Sequence, residues 1–536
     1  MAAPSYSTDL VDITLAQDAD TWTELSDWGG GGTIYTDETD YYIQGGNCTS
    51  QICTKTGAQD ETSLVVDYGS DISSSFGTLD CVFMWQVFLP ANAAATWNRG
   101  GLRIVIGAST AAFDGWRIGG KDVGRNPYGG WQNVVVWPSY PPDYQDDGAT
   151  GNGGAYRYFG SGLYLDAAIS KGAPHGVDAI RYGRGTLTVS GGDAANGYGT
   201  FTGMAAANDD ASVRWGLFQE QAGTYLWKGL MSLGGGTSWG AVDFRDSNKN
   251  ITIDIAPRTY RAFNRIEIRN SSSRVDWTGI NISALPPSGY RTPGDLVVVE
   301  NADVNFSGCS FTDMGEFDFL SNSTILNTTF RRCEQVYWGQ AQFDGCTFET
   351  TRASAAIYTE DLTDIDNCTF NGGDEGNNAI HMSASGTYTF VGNTFTGYGP
   401  SGSPSAAIYH DSGGHLTINV QNGDTPTVYN VGSSTSEVNN PVILTLSGIV
   451  SGSEVRIYSW GTTTELSGVE DAYLDDGSGN GTVKHEYPYN YVASTYVDIA
   501  IHHVDYVYYR IRKYLLLNTS TTIPISQQSD RWYSNP

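Results

Sequence analysis

The chain has 536 residues, long enough for three or four domains with sizeable cores. Asp and Glu number 58 against 29 Lys and Arg, and the resulting charge of −29 excludes a nucleic-acid binder or a protein held on anionic membranes, since both need a clustered cationic surface. With 40% hydrophobic, 12% aromatic and only 16% charged residues it is no solvated acidic tail, and its 66 glycines and 33 tyrosines favour short strands and tight turns over helices.

The N-terminus, Met1 to Leu10, has neither the basic nor the apolar stretch of a secretory signal, and no run reaches the ~18 apolar residues of a membrane span. A soluble protein is expected. The seven cysteines lack any C-x-x-C spacing, so no disulfide framework is expected; Cys48 and Cys53 could pair or stay reduced. Neither cysteines nor histidines fall in a zinc-ligand spacing, and no cofactor is expected. Residues 1–240 hold strand-like runs such as Cys81 to Phe88 and Leu102 to Gly107, separated by Gly, Asn and Asp clusters and interleaved with tryptophans. They predict an N-terminal β-sandwich region, jelly-roll-like, of one or two domains, with a surface loop from Tyr140 to Tyr156.

Residues 241–425 carry an internal repeat. An eight-residue strand motif ends at Ile282, Phe311, Phe330, Phe348, Phe370 and Phe395, at irregular intervals of about 20 residues. Two positions before each terminal residue stand Ile280, Cys309, Thr328, Cys346, Cys368 and Asn393, so both columns should face inward. Between them, Asn281, Ser310, Thr329, Thr347, Thr369 and Thr394 should face outward. The Gly or Asn before the inner column marks a corner that needs left-handed backbone. A second strand recurs in step, as Phe317 to Phe319, Val336 to Trp338, Ile357 to Thr359, Ile380 to Met382 and Ile408 to His410. Two strands per coil, each alternating in and out, predict a parallel β-helix with coils ~4.8 Å apart. Cys309, Cys346 and Cys368 then read as packing units, not nucleophiles.

Residues 426–536 change pattern again. Val442 to Ser447, Glu454 to Tyr458 and Tyr496 to Ile501 read as strands of a C-terminal β-sandwich, with a turn at Asp475 to Gly481.

On the coil motif and its columns, the stretch 241–425 resembles the right-handed parallel β-helix of the pectate-lyase-like group, which in viruses forms bacteriophage tailspikes and fibres. The segment from Trp215 through Trp227 to Asp246, with the ending Asp530 to Pro536, is similar to structural proteins of marine bacteriophages. The resemblance implies a virion protein assembled in the host cytoplasm and released by lysis. It would be a homotrimeric tail fibre, tailspike or capsid appendage that contacts other virion proteins and recognises host-surface polysaccharide.

The repeat also frames the candidate chemistry. A glycosidase needs two carboxyls on the same or neighbouring columns, ~5–5.5 Å apart for retention and ~6.5–9.5 Å for inversion. The outward columns of these two strands show no acid pair, so no catalytic residue is assigned; Glu360, Asp361, Asp364 and Asp366 read as solvated or corner-capping loop acids. The outward column of the second strand, Tyr337, Tyr358, His381 and Tyr409 below Asp318, is the candidate binding surface, for glycan or for a neighbouring subunit. Asp476 to Gly481 and Asp246 to Asn250 alternate oxygen donors like calcium loops but lack the full ligand set, and read as turns. Three functions fit: a structural attachment protein of a virion, a virion-bound polysaccharide lyase or hydrolase, or a cell-surface adhesin.

Overall fold

The computed structural model describes the chain apart from residues 14–20, 25–32, 41, 54–60, 78–79, 89–99, 120–129, 139–143, 146–154, 166–174, 210–213, 222, 236–239, 254–264, 269, 285–294, 299–301, 320–322, 339–340, 373–376, 440–441, 470–479, 488–495, 517–519 and 530–536. The loop expected around Tyr140, the turn at Asp475 to Gly481 and the ending from Asp530 lie wholly or largely outside the described residues. Among the described residues the chain is all-β, with one α-helix at Phe201–Asp209. It divides into two compact units: Met1–Gln342 with Thr350–Ala353, and Phe343–Glu349 with Ser354–Pro536.

The first unit opens with two antiparallel sheets. One is built on Cys81–Phe88, Gly130–Val136 and His175–Gly183, the other on Glu61–Asp67, Gly100–Ser109 and Tyr158–Leu165. Alternate residues, among them Leu64, Val66, Val82, Met84, Ile104, Ile106, Trp116 and Phe159, meet in one buried core, which makes this a sandwich. Cys48 and Cys53 are the two ends of a single strand, too far apart to bridge, and Cys48 is a free buried thiol.

Parallel pairing begins at Thr186–Ser190, which pairs with Leu230–Leu233. From there the strands enter three parallel ladders in rotation; Leu230–Leu233, Asp243–Ser247 and Asn250–Ile253 are followed in the same ladders by Arg265–Ile268, Arg274–Thr278 and Asn281–Ala284. In the second unit parallel pairing is found as far as Thr435–Asn439. Parallel pairing thus occurs in both units, between Thr186 and Asn439, a wider span than 241–425, and takes three kinds of ladder where the repeat revealed two. The strands outside that range bury Leu187, Val189, Tyr225, Trp227, Met231, Leu233 and Val428 without the Cys–x–Phe spacing of the motif, so they lack its signature. The register is that of the repeat: Ile282, Phe311 and Phe330 are lateral partners, as are Phe348, Phe370 and Phe395. Ile280, Cys309, Thr328, Cys346, Cys368 and Asn393 are all buried. The corner residues before them, Gly279, Gly308, Asn327, Gly345, Asn367 and Gly392, all have φ between 48° and 67°. Gly or Asn is needed there because a larger side chain meets the following carbonyl in this conformation.

The helix Phe201–Asp209 sits at the first turns. Thr200 caps it, its Oγ1 accepting the Gly203 N–H at 2.9 Å, while an Asp246 oxygen accepts the Phe201 N–H at 2.8 Å. Phe201 packs against Phe244, Phe218 and Trp277 at centroid distances of 4.9, 5.6 and 5.4 Å. Asp246 is thus a helix-capping residue and Asn248, at φ 53°, a corner residue.

The second unit ends in a sandwich of a three-stranded sheet, Asn480–Tyr487, Val442–Val450 and Thr521–Pro524, and a four-stranded one, Glu465–Val469, Glu454–Ser459, Tyr496–His503 and Tyr506–Leu515. Leu444, Leu446, Val455, Ile457, Val497, Ile499 and Ile501 form its core.

Candidate functional site

In the second unit one parallel ladder consists of Ala355–Thr359, Asn378–Met382, Ile408–His410 and Val428–Asn430. The period of two turns Ile357, Ile380, Ile408 and Val428 into the interior, where all four are buried. The residue after each must then face out, and Tyr358, His381, Tyr409 and Tyr429 form one outward column, each half-buried. Tyr358 and His381 lie 4.7 Å apart between ring centroids, His381 and Tyr409 4.8 Å, both at 75°, and Tyr409 and Tyr429 5.8 Å at 55°. The inward phenylalanines stack almost flat, at 7° and 6°. Two of the outward contacts are edge to face and the third, between Tyr409 and Tyr429, is tilted.

His381 Nε2 lies 3.0 Å from an Asp411 carboxylate oxygen, close enough for an ion pair when the imidazole is protonated but too poorly aligned for a hydrogen bond. Asp411 is held at the strand end by its own N–H, which donates to the Met382 carbonyl. His410, one residue before, is an interior group: it is fully buried, with Nδ1 3.0 Å from Asn430 Oδ1 and Nε2 2.6 Å from Ser412 Oγ.

Three of the four predicted column residues, Tyr358, His381 and Tyr409, are therefore brought together in this unit. Tyr337 belongs to the first unit, where it is exposed and pairs laterally with Asp318. Burial, then Glu316, raises the Asp318 carboxyl above its ordinary range, with Arg265 opposing. Tyr429 is a fourth member that sequence reasoning missed, because it falls beyond residue 425. Its triplet, Val428 to Asn430, repeats the apolar–Tyr–polar order of Ile408 to His410 and was the available signal.

The carboxylates need one correction. Phe343 and Asp344 pair laterally with Ile365 and Asp366, so an acid pair does occupy a repeated strand face, on the third strand of the turn, which the two-strand reading lacked. Such neighbours sit ~4.8 Å apart. The Asp366 carboxyl is raised by burial first, then by the charges of Asp344 and Asp364, and its Oδ1 is buried without a hydrogen-bond partner among the described residues. Burial, then Asp361, raises Asp364 in the same direction. Asp344 Oδ1 accepts a hydrogen bond from Asn367 Nδ2 at 2.8 Å. Asp361, by contrast, caps a turn as expected, accepting the Thr363 N–H at 2.8 Å.

Several carboxylates of the first unit are paired with arginine. Asp313 takes both Arg332 and Arg352 at 2.6 and 2.5 Å. Asp243, Asp276 and Asp303 interlock with Arg245 and Arg274 on one outward face. Against that pattern the Asp344–Asp366 pair stands out, since every charge acting on Asp366 is of its own sign.

No known protein family matches the chain, and no curated protein matches it. Among solved structures it is similar to an exo-beta-agarase, at 13% identity and a TM-score of 0.23 over 33% of this chain and 25% of that one. It is similar to the CBM22-1 xylan-binding domain from Paenibacillus barcinonensis Xyn10C, at 10% identity and a TM-score of 0.20 over 34% of this chain and 94% of that one. A third match is the catalytic unit of a GH87 alpha-1,3-glucanase from Streptomyces thermodiastaticus strain HF3-3, at 12% identity and a TM-score of 0.18 over 84% and 89% of the two chains. The chain thus spans about a quarter of the agarase and most of the other two. The functional reading below stands on the residues of this chain alone.

Proposed function

We propose that the protein recognises a polysaccharide along the column Tyr358, His381, Tyr409 and Tyr429. One observation carries this: four aromatic side chains held in register on an outward strand face at 4.7–5.8 Å, with the Asp411 carboxylate beside the second. Aromatic rings with polar tips offer flat apolar area to sugar C–H faces and hydrogen bonds to hydroxyls, and the stack repeats as a polymer repeats. In this reading the rotating ladders are coils of a right-handed parallel β-helix, the hand that parallel crossovers take. The setting is the virion appendage inferred from the sequence, a homotrimer meeting host-surface glycan. Affinity electrophoresis of the full chain through gels cast with host capsule tests it. Tyr409→Ala should weaken retention about ten-fold, in line with the loss of one aromatic contact. Undiminished retention with Tyr358→Ala, His381→Ala and Tyr409→Ala would remove the column from the binding surface.

A second reading, hydrolysis of the bound glycan, is favoured by the Asp344–Asp366 pair. Lateral neighbours lie near the ~5–5.5 Å of a retaining pair, and Asp366, with its raised carboxyl, suits the general acid while Asp344 stands where the second carboxyl is needed. Release of reducing ends from capsule, lost in Asp366→Asn with the fold intact, would establish it; no release from any host glycan would leave recognition alone.

A further inference from the structure

The C-terminal sandwich carries a cluster that the column does not use. Trp460 directly follows the strand Glu454–Ser459, is 47% exposed, and donates its backbone N–H to the Tyr496 carbonyl at 3.0 Å. The two rings stand 5.9 Å apart at 63°. Lys513 brings its ammonium over both, 4.5 Å from the Trp460 centroid and 5.0 Å from that of Tyr496.

The backbone is bent to put the lysine there. On the edge strand Tyr506–Leu515, Ile511 pairs with Ile499 and Tyr514 with Val497, so Arg512 and Lys513 together lie opposite Asp498. That is a β-bulge, and it re-aims a side chain. Regular alternation from Tyr509 and Ile511, which pack against the core, would turn Lys513 inward; with the bulge Tyr514 takes the inward place. Lys513 adopts φ 55° to allow this, a left-handed conformation that favours glycine. Asp498 holds the bulge by accepting the Lys513 N–H at 2.8 Å and Arg510 Nη2 at 3.0 Å. Arg510, Arg512 and Lys513 thus concentrate positive charge on one strand of a chain of net charge −29, and among the described residues only Arg510 of the three is in an ion pair.

We propose that this face is a carbohydrate site for an acidic polysaccharide, with a sugar ring against Trp460 and Tyr496 and its carboxylate or sulfate met by Lys513 and Arg512. Charge complementarity selects the occupant: an acidic chain repels a polyanion over most of its surface and admits it at this strip. At the far end of the same hairpin Val504 in the turn and Val507 on the strand are exposed, which makes a second copy of the chain the competing occupant. This site does not depend on the column reading.

The test is affinity electrophoresis of the full chain in gels containing polygalacturonate, with dextran as the neutral control and light scattering for self-association. Lys513→Gly is the informative variant, because glycine suits φ 55° and the fold should melt at the wild-type temperature or above while the ammonium is lost. Polygalacturonate and not dextran should retard the wild type in a salt-sensitive manner. Lys513→Gly should weaken binding about three- to five-fold and Trp460→Ala about ten-fold, with Thr369→Ala, at an exposed position of neither surface, unchanged. Wild-type retardation in both variants, or none in the wild type, overturns the proposal and leaves the column reading untouched. Loss of a concentration-dependent oligomer in the variants with retardation unchanged overturns it in favour of a contact between copies. If only Tyr409→Ala loses binding, polygalacturonate belongs to the column and this face is not its site.

Discussion

The inward and outward columns differ by one position in the chain, and Phe370 and Thr369 in the second unit test that difference directly. Phe370 is fully buried between Phe348 and Phe395, with centroids at 5.0 and 5.2 Å and rings within 7° of parallel. Thr369 is exposed. A buried phenylalanine removes ~150–250 Å² from water, which at ~25 cal/mol per Å² is an upper bound of about 4–6 kcal/mol; core Phe→Ala substitutions cost about 3–5 kcal/mol. Phe370→Ala should therefore destabilise by about 4 kcal/mol, since it removes the ring stacked between Phe348 and Phe395. Phe370→Leu should cost about 1–1.5 kcal/mol. Thr369→Ala should stay within about 0.5 kcal/mol. At about 2–4 °C per kcal/mol for a domain of 150–250 residues, Phe370→Ala lowers the melting temperature of the unit holding it by about 8–16 °C. Thermal unfolding of the full chain by calorimetry resolves this. A loss under about 1 kcal/mol for Phe370→Ala, or an equal loss for Thr369→Ala, would refute the register, because a slip of one residue exchanges the two faces.

Three further outcomes are expected. Gly308 has φ 61° and nothing within 4 Å of where a Cβ would stand, while Asn fills the equivalent corner at 327 and 367; Gly308→Asn should change stability by under about 0.5 kcal/mol and Gly308→Val should cost about 1–2 kcal/mol in urea titrations. Asp178 is fully buried in the N-terminal sandwich, and burial raises its carboxyl to about 6 against three N–H donors from Ile43, Gln44 and Ala179. Because the folded value lies above the unfolded ~3.9, its contribution is complete below about pH 4 and is lost, by about 3 kcal/mol, as pH rises through about 6; Asp178→Asn should flatten that slope in urea midpoints measured from pH 4 to 7. Tyr429→Ala should weaken capsule retention by about the same factor as Tyr409→Ala, about ten-fold, and full retention would end the column at Tyr409.

What could be read in advance followed from how strongly each position is constrained. The Cys–x–Phe columns were legible because an interior one ring deep accepts few side chains, and the corners because a left-handed residue is nearly always Gly or Asn. The strands outside 241–425 were not, since Leu187, Leu233 and Val428 fill the interior without a distinguishing letter. The acid pair shows a third case. Asp344 and Asp366 stand at one position of the eight-residue motif, where Thr278 and Ser307 precede them, so the repeat by itself aligns them. Without knowing that this position starts no inward strand of its own but closes an outward face, their alignment carried no chemistry. Lys513 is the opposite limit: a lysine in a Tyr-, Ile- and Arg-rich strand gives no sign that the backbone bulges beneath it. Outward-facing positions are free to vary, and that freedom is what hides a binding surface in the sequence and lets a repeated scaffold acquire one.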